Sequence, residues 1–396
     1  MADLRYAQVQ FKGRHAGILR ETEGGGTAFE YDPAFPEDLA CALPRDQTTH
    51  VWPTGLHPVF QHLGPEGWLR QRQARTAEIA DEDDFGLLLA YGADCIGAVS
   101  IHDPDAPPSR PRDADLDALT AAAVEAKRTI SGVQPKLLVV PDGAGFVPAG
   151  ATGPAPYIAK FPTDDLPSIV ANEALILDAA RVLLGPNQVV TFQRGLVRGI
   201  RTPALLVQRF DRTDDGRKLR LEDFAQILGR PQRRDFSGKY DGSFEEVAVA
   251  LRQHSARAQI DLLRLFQRIV AFALLGNCDC HLKNFSLLET PHGLRLAPAY
   301  DVVNTYVYGR QGYSTRFGLR IDGRSYRFDQ LDRAVLSALG ERFGLPARAV
   351  AKTFSDLAGK KDALLRRLAP PDQARPDEVR ALIVDTVASS YARVCP

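Results

Sequence analysis

The sequence predicts an α+β chain of two lobes, one built on sheet and one mainly helical. Three observations lead there. Alternating apolar residues punctuated by glycine fill the start of the chain. A strand ending in Lys160 runs into a helix that carries Glu173. A long apolar helix, residues 257–275, stops at Gly276 before a polar loop and a hairpin. At 396 residues the chain can bury two or three full-sized cores.

The elements follow in order. Tyr6 to Phe11, Ala16 to Leu19 and Ala28 to Tyr31 alternate as strands, the last two joined through Gly24-Gly25-Gly26. No Lys-Ser/Thr follows those glycines, so they are not a Walker phosphate loop. A helical pattern runs through residues 56–78 on Val59, Phe60, Leu63, Trp68 and Leu69. Phe85 to Tyr91 and Cys95 to Ile101 complete a first α+β unit, residues 1–103. Prolines 104, 107, 108 and 111 mark a linker, residues 104–113.

A helix near 114–126 opens the next unit, residues 114–212. Thr129-Ile130-Ser131-Gly132-Val133-Gln134-Pro135-Lys136 reads as a turn feeding a strand through Val140, and Tyr157 to Lys160 is another strand. Asn172 is placed to cap a helix that Glu173 opens, with Leu175, Ile176, Ala179, Val182 and Leu183 on its buried face. Gly185-Pro186 stops it. Strands follow at Gln188 to Phe192 and Ala204 to Phe210. Residues 213–396 read as a mainly helical lobe. In it the helix 257–275 buries Leu262, Phe266, Ile269 and Ala273, and Phe285 to Leu288 pairs with Leu294 to Ala297.

Lys+Arg and Asp+Glu each number 49, so no bulk charge points to nucleic acid or an anionic membrane. Basic clusters at Arg70, Arg72, Arg75 and at Arg230, Arg233, Arg234, Lys239 read as solvated faces, open to partner or phosphate contacts. Cys41, Cys95, Cys278, Cys280 and Cys395 are odd in number and scattered, which fits a reducing compartment. Cys278, Cys280 and His281 are close in sequence, but no second Cys/His cluster exists to complete a structural zinc site. Charged residues break the N-terminus, and no apolar stretch approaches the ~18–20 residues of a membrane span. A cytoplasmic protein without a membrane partner is expected.

The chemistry concentrates at Gly276-Asn277-Cys278-Asp279-Cys280-His281-Leu282-Lys283-Asn284 and at Tyr300-Asp301. Phosphoryl transfer from ATP needs a carboxylate to orient the acceptor hydroxyl and hard oxygens to hold Mg²⁺ against the phosphates. Asp-x-x-x-x-Asn followed by a later Asp meets that need, with Asp279 as base and Asn284 and Asp301 as metal ligands. Alone, such a spacing is an ordinary polar loop. A helix, a polar loop, a hairpin and then an Asp is the order in which a kinase C-lobe presents these groups. Upstream, a Lys at a strand end can neutralise phosphates, and a Glu on the following helix can hold it, as Lys160 and Glu173 are placed to do. Lys136 competes as a phosphate ligand.

Ser131 to Lys136, Tyr157 to Pro162, Gln208-Arg209-Phe210-Asp211-Arg212, Glu222-Asp223-Phe224, Asn277 to Phe285 and Pro298 to Val302 together resemble the HipA family of serine/threonine kinases. The N-terminal Leu56-His57-Pro58-Val59-Phe60 and Leu63 to Trp68 resemble that family's N-terminal subdomain. The resemblance spans nearly the whole chain. It implies a bilobed protein-kinase-like fold of the phosphoinositide-kinase-like group, with His281 two residues after the base. It also implies ATP and Mg²⁺ as cofactors, Asp279 as base and Asn284 and Asp301 on the metal. Lys160, with Glu173, would serve the phosphates, and Ser131, Gly132, Val133, Gln134, Pro135 and Lys136 would form the phosphate-facing loop. Gln208, Arg209 and Phe210 would form the adenine-contacting hinge, and His281, Lys283 and Tyr300 would complete the ATP site.

Family members are toxin halves of type II toxin–antitoxin modules. The resemblance therefore implies a small HipB-like helix-turn-helix antitoxin, through which any DNA contact would pass, and an aminoacyl-tRNA synthetase as target. It implies self-inactivation by phosphorylation at Thr129 or Ser131, because a phosphate in that loop would repel the triphosphate. Two other readings stand beside this one. A small-molecule phosphotransferase of the aminoglycoside-kinase type shares Asp-x-His-x-x-Asn, and phosphate incorporation into protein rather than drug separates the two. A non-catalytic co-repressor scaffold is the other, against which Lys160, Asp279, Asn284 and Asp301 occur together.

Overall fold

The computed structural model describes residues 4–105, 118–126, 128–129, 134–150, 153–233, 235, 237–369 and 377–396. The chain forms two compact units, Met1–Phe161 with Arg194–Gly238, and Pro162–Gln193 with Lys239–Pro396.

The first unit holds two five-stranded sheets. One contains β1 (Tyr6–Phe11), β2 (Arg14–Glu21), β3 (Thr27–Tyr31), β4 (Thr49–Trp52) and β5 (Val99–His102) in the order β4-β3-β2-β1-β5, antiparallel throughout. Lys12 and Gly13, both at positive φ (52° and 77°), make the two-residue turn whose twist suits a hairpin. The alternation in β1 points Ala7, Val9 and Phe11 inward onto Phe29, Phe60 and Phe85. The pattern expected over 56–78 is two helices, α1 (Pro58–Gln61) and α2 (Gly67–Ala77). Pro65 has no N–H to continue a helix, so the run breaks there. Helix α3 (Asp84–Tyr91) then leads to β5.

Helix α4 (Ala118–Glu125) precedes the second sheet. Its strands are β6 (Lys136–Asp142), β7 (Gly145–Pro148), β8 (Tyr157–Lys160), β9 (Phe192–Gly195) and β10 (Ala204–Gln208), ordered β7-β6-β8-β10-β9. The segment expected as a strand from Gln188 to Phe192 is instead a tight turn at Pro186–Gln188, and Val189 makes a single parallel bridge to Ala299. Leu137, Val139, Ala159, Phe161, Ala204 and Leu206 build a separate core. Strand β11 (Leu221–Asp223) leads into α6 (Phe224–Ile227), closed by a reciprocal capping box between Asp223 and Gln226.

An ionic cluster ties the first sheet to the second. Asp211 binds Arg209 at 2.7 Å and Arg212 at 2.8 Å, and accepts the Gly97 N–H at 2.8 Å. Asp94 binds Arg128 at 2.6 Å, Arg212 at 2.8 Å and Lys218 at 3.0 Å. Burial would raise the pKa of both acids, but the surrounding cations outweigh it, holding Asp94 below its ordinary value and Asp211 at about 2.

The second unit is mainly helical, with α5 (Ile169–Leu184), α7 (Phe244–His254), α8 (Ala258–Leu275), α9 (Arg333–Arg342), α10 (Ala347–Ala358), α11 (Lys361–Leu368) and α12 (Glu378–Val394). One hairpin, β12 (Ser286–Thr290) with β13 (Gly293–Leu296), sits among them. Helix α8 is buried by α5, α7 and α12, and Leu262, Phe266, Ile269 and Ala273 lie in its core face. The α5 helix begins earlier than expected, after Ser168 at φ 57°, so Asn172 is an interior residue of the first turn rather than its cap. Within the second unit α5 packs on α8 and α11. The expected linker falls largely outside the described residues. Among the described residues no helix is long and apolar enough to cross a membrane.

Candidate functional site

Gly276 ends α8 at φ 74°, its N–H returning to the Phe272 carbonyl. A Cβ at this position would lie 2.6 Å from the Asn304 side chain, so glycine is required both for the turn and for the close approach. The loop that follows folds on itself. Asn277 Oδ1 accepts the Asp279 N–H at 3.1 Å, and the Asp279 carbonyl accepts the His281 N–H at 3.0 Å and Asn284 Nδ2 at 2.6 Å. With its nitrogen held there, Asn284 is left with its side-chain oxygen as the group a cation could use.

The Asp279 carboxylate is 42% exposed, with His281 Nε2 3.8 Å from its Oδ1. The Tyr240 hydroxyl donates to the same oxygen, and the Tyr240 ring meets His281 edge-on at 5.0 Å. Burial first, then the charge and hydrogen bond of Asp279, push the Tyr240 phenol pKa far up. Cys278 and Cys280 flank Asp279 but are buried. Burial, with a contribution from Asp279, pushes Cys278 up to about 12 and Cys280 well up too, so both are inert thiols.

Asp301 adopts φ 55°, a left-handed conformation that few residues accept and that Asp tolerates better than most. Its neighbour Tyr300 donates to the Lys283 carbonyl at 2.7 Å and bonds the Ser286 hydroxyl. The residue before Asp301 is therefore bonded to the residue before Asn284, and the two ligand candidates are held by one short network. Among the described residues no group of three or more His, Cys, Asp or Glu could hold a metal ion. A cation here would rest on Asn284 and Asp301 with phosphate and water oxygens, a donor set that suits Mg²⁺. Glu173 is fully buried on α5 in this same unit.

In the first unit, Lys136 and Lys160 are register partners across β6 and β8, and both are buried. Directly opposed residues share one sheet face, so two lysines stand side by side on the paired strands, the residue type that suits a polyanion. The preceding segment is pinned beside them: Gln134 Nε2 donates to the Phe161 carbonyl at 2.8 Å, and the Phe161 N–H to the Pro135 carbonyl at 2.9 Å. Gln208 closes β10 opposite Tyr157. Arg209 turns its guanidinium away onto Asp211, and its N–H bonds the Pro156 carbonyl at 2.8 Å. Phe210 is half-buried. Thr129 is 1% exposed, while Ser131, Gly132 and Val133 lie outside the described residues.

Sequence reasoning missed Tyr240, which lies 39 residues before Asp279 with no spacing to announce it. It also misassigned Asn172, whose polar side chain on a buried helix face was the available signal.

A family model for the HipA-like C-terminal domain matches residues 128–364, and one for the HipA N-terminal domain matches residues 7–102. Two Sinorhizobium fredii proteins with kinase names are similar over most of their length. Y4mE is 27% identical over 384 residues and Y4dM 30% over 388, each alignment covering 89% of both chains. The Shewanella oneidensis serine/threonine-protein kinase toxin HipA is 28% identical over 252 residues, covering 58% of this chain and 54% of that protein. A chain from the solved complex of Shewanella oneidensis MR-1 HipA, HipB and operator DNA superposes with a TM-score of 0.73 at 22% identity, covering 98% of this chain and 97% of that one. The likeness is one of fold, the bilobed kinase-like α+β arrangement.

Proposed function

The chain belongs to the HipA family, and on that footing we propose that it is an ATP- and Mg²⁺-dependent protein serine/threonine kinase, the toxin of a type II toxin–antitoxin module. The observation that carries the reading is the Asp279–Asn284 bond, which holds a carboxylate and a hard oxygen in one loop, with Asp301 tied in through Tyr300. In this reading Asp279 orients the acceptor hydroxyl and takes its proton. Asn284 and Asp301 hold a Mg²⁺ ion, which when bound neutralises phosphate charge. Lys136 and Lys160 receive the phosphates, and the backbone around Gln208 to Phe210 faces the adenine. The arginine side chain at 209 serves the fold instead.

The N-terminal domain favours this over a small-molecule phosphotransferase. A small helix-turn-helix antitoxin is the proposed partner, a reading supported by the Shewanella structure, which holds HipA, HipB and operator DNA. An aminoacyl-tRNA synthetase is the proposed target, reached in the cytoplasm and leading to growth arrest. Self-phosphorylation at Thr129 or Ser131 is the proposed off-switch; burial of Thr129 means that this acceptor requires local opening.

Asp279→Ala tests the reading. With radiolabelled ATP, transfer to protein should fall ~10²–10⁴-fold while the melting temperature holds, and expression of the variant should no longer slow growth. Wild-type transfer by this variant would end the kinase assignment. Mass spectrometry of active protein should find phosphate on Thr129 or Ser131 and none in the Asp279→Ala chain.

A further inference from the structure

Tyr240 comes to Asp279 from the short helical turn Ser237–Tyr240, far upstream in sequence. It is an exposed aromatic residue, at 38%, yet its hydroxyl is committed to one carboxylate oxygen of the base. Asp301 adds to the negative field it feels. Raised as it is by burial and by Asp279, the phenol stays a donor at any physiological pH.

An incoming acceptor hydroxyl has to make this same contact. In phosphoryl transfer the acceptor oxygen bonds the γ-phosphorus as the bond to the bridging oxygen of ADP breaks. The acceptor proton passes to the base carboxylate. The proton must therefore point at a carboxylate oxygen beforehand, as the Tyr240 proton points at Oδ1.

Resting on the kinase reading above, we propose that Tyr240 is a built-in stand-in for the acceptor: its phenol holds the acceptor-hydroxyl position on Asp279, and a protein substrate enters by displacing it. Tyr240 is 38% exposed and ends a short turn, so its displacement breaks its contacts with Asp279 and His281 and no helix or strand. Acceptor binding therefore carries the cost of breaking a charge-assisted hydrogen bond, whereas ATP binding does not.

Full-length wild type and Tyr240→Phe are compared with dephosphorylated casein as the acceptor probe. The variant should show a KM for casein lowered about three- to tenfold, with ATP affinity unchanged. An unchanged or raised casein KM overturns the proposal, including the case in which kcat alone falls, which would make Tyr240 only an orienting residue. A second arm needs no turnover. Acetylation of Tyr240 by N-acetylimidazole, read by peptide mass spectrometry, should be at least about threefold faster in Asp279→Ala than in wild type, since the reagent takes the phenolate, and the carboxylate that holds the wild-type hydroxyl also disfavours that form by its charge. Equal rates overturn the contact itself. A preserved acetylation difference in wild type that transfers phosphate to no protein would overturn the kinase reading, and the proposal with it, while leaving the contact intact.

Discussion

Asn172 and Asn304 bond to each other twice. Asn172 Nδ2 donates to the Asn304 carbonyl at 3.0 Å, and the Asn304 N–H donates back to Asn172 Oδ1 at 3.0 Å. The side chain of one residue thus completes the backbone of the other, much as a neighbouring strand would. Nδ2 also reaches the Tyr308 hydroxyl at 3.2 Å, and that hydroxyl donates to the Pro167 carbonyl at 2.9 Å. The helix that bears Glu173 is in this way fastened to the segment immediately following Asp301.

Asn172→Ala would leave a buried N–H and a buried carbonyl of Asn304 without partners. The expected loss is about 2–4 kcal/mol, read as a lowered urea midpoint at an unchanged slope. Because the loosened segment begins just past Asp301, the Mg²⁺ concentration for half-maximal transfer should rise in the same variant. A variant as stable as wild type would show that the double bond is dispensable.

Asn284→Ala removes both the candidate ligand oxygen and the amide that holds the Asp279 carbonyl. Transfer should drop at physiological Mg²⁺ and recover only in part when the metal is raised roughly tenfold, since the cation can be restored by mass action but the loop bond cannot. Asp301→Asn keeps a side chain that also tolerates positive φ, so it should fold normally while losing metal affinity. Circular dichroism and metal titration of activity separate these outcomes.

Lys136→Ala removes one of two opposed cations. ATP affinity measured by calorimetry should weaken roughly 10- to 100-fold, with a shallower dependence on salt. An unchanged affinity would remove the strand pair from the nucleotide site.

Asp211 anchors the ionic cluster of the first unit, and its pKa is depressed from an ordinary 3.8 to about 2. For a depressed carboxylate the stabilisation is complete above the unfolded pKa and drains away as pH falls through the folded one. The window is therefore about pH 4 to 2, and the contribution roughly 2 kcal/mol. Asp211→Asn should cost about 3–5 kcal/mol at neutral pH, because it leaves the buried Arg209 without its short ion pair. It should also flatten the acid limb of stability against pH. A variant as acid-sensitive as wild type would place that limb elsewhere.

Much of this protein is local and therefore legible in one dimension. The alternation in Tyr6–Phe11, the strand Tyr157–Lys160 and the apolar stripe of Ala258–Leu275 follow from side-chain periodicity alone. The loop from Gly276 to Asn284 closes its hydrogen bonds over five residues, so its spacing already displays the candidate base and ligand. Where a boundary depended on a partner far away in sequence, the local signal misled. Asn172 has the composition of a cap, yet its bonds go to Asn304, and only packing of α5 in the second unit supplies that partner. Arg209 stands beside a strand end in a hinge-like motif, but Asp211 and the Asp94 cluster draw its charge into the fold. Tyr240 had no periodicity to mark it. A side chain's nearest neighbours along the chain determine helix, strand and turn; its role at the candidate site is decided by whichever distant group satisfies its charge or hydrogen bond, and tertiary structure alone brings that group within reach.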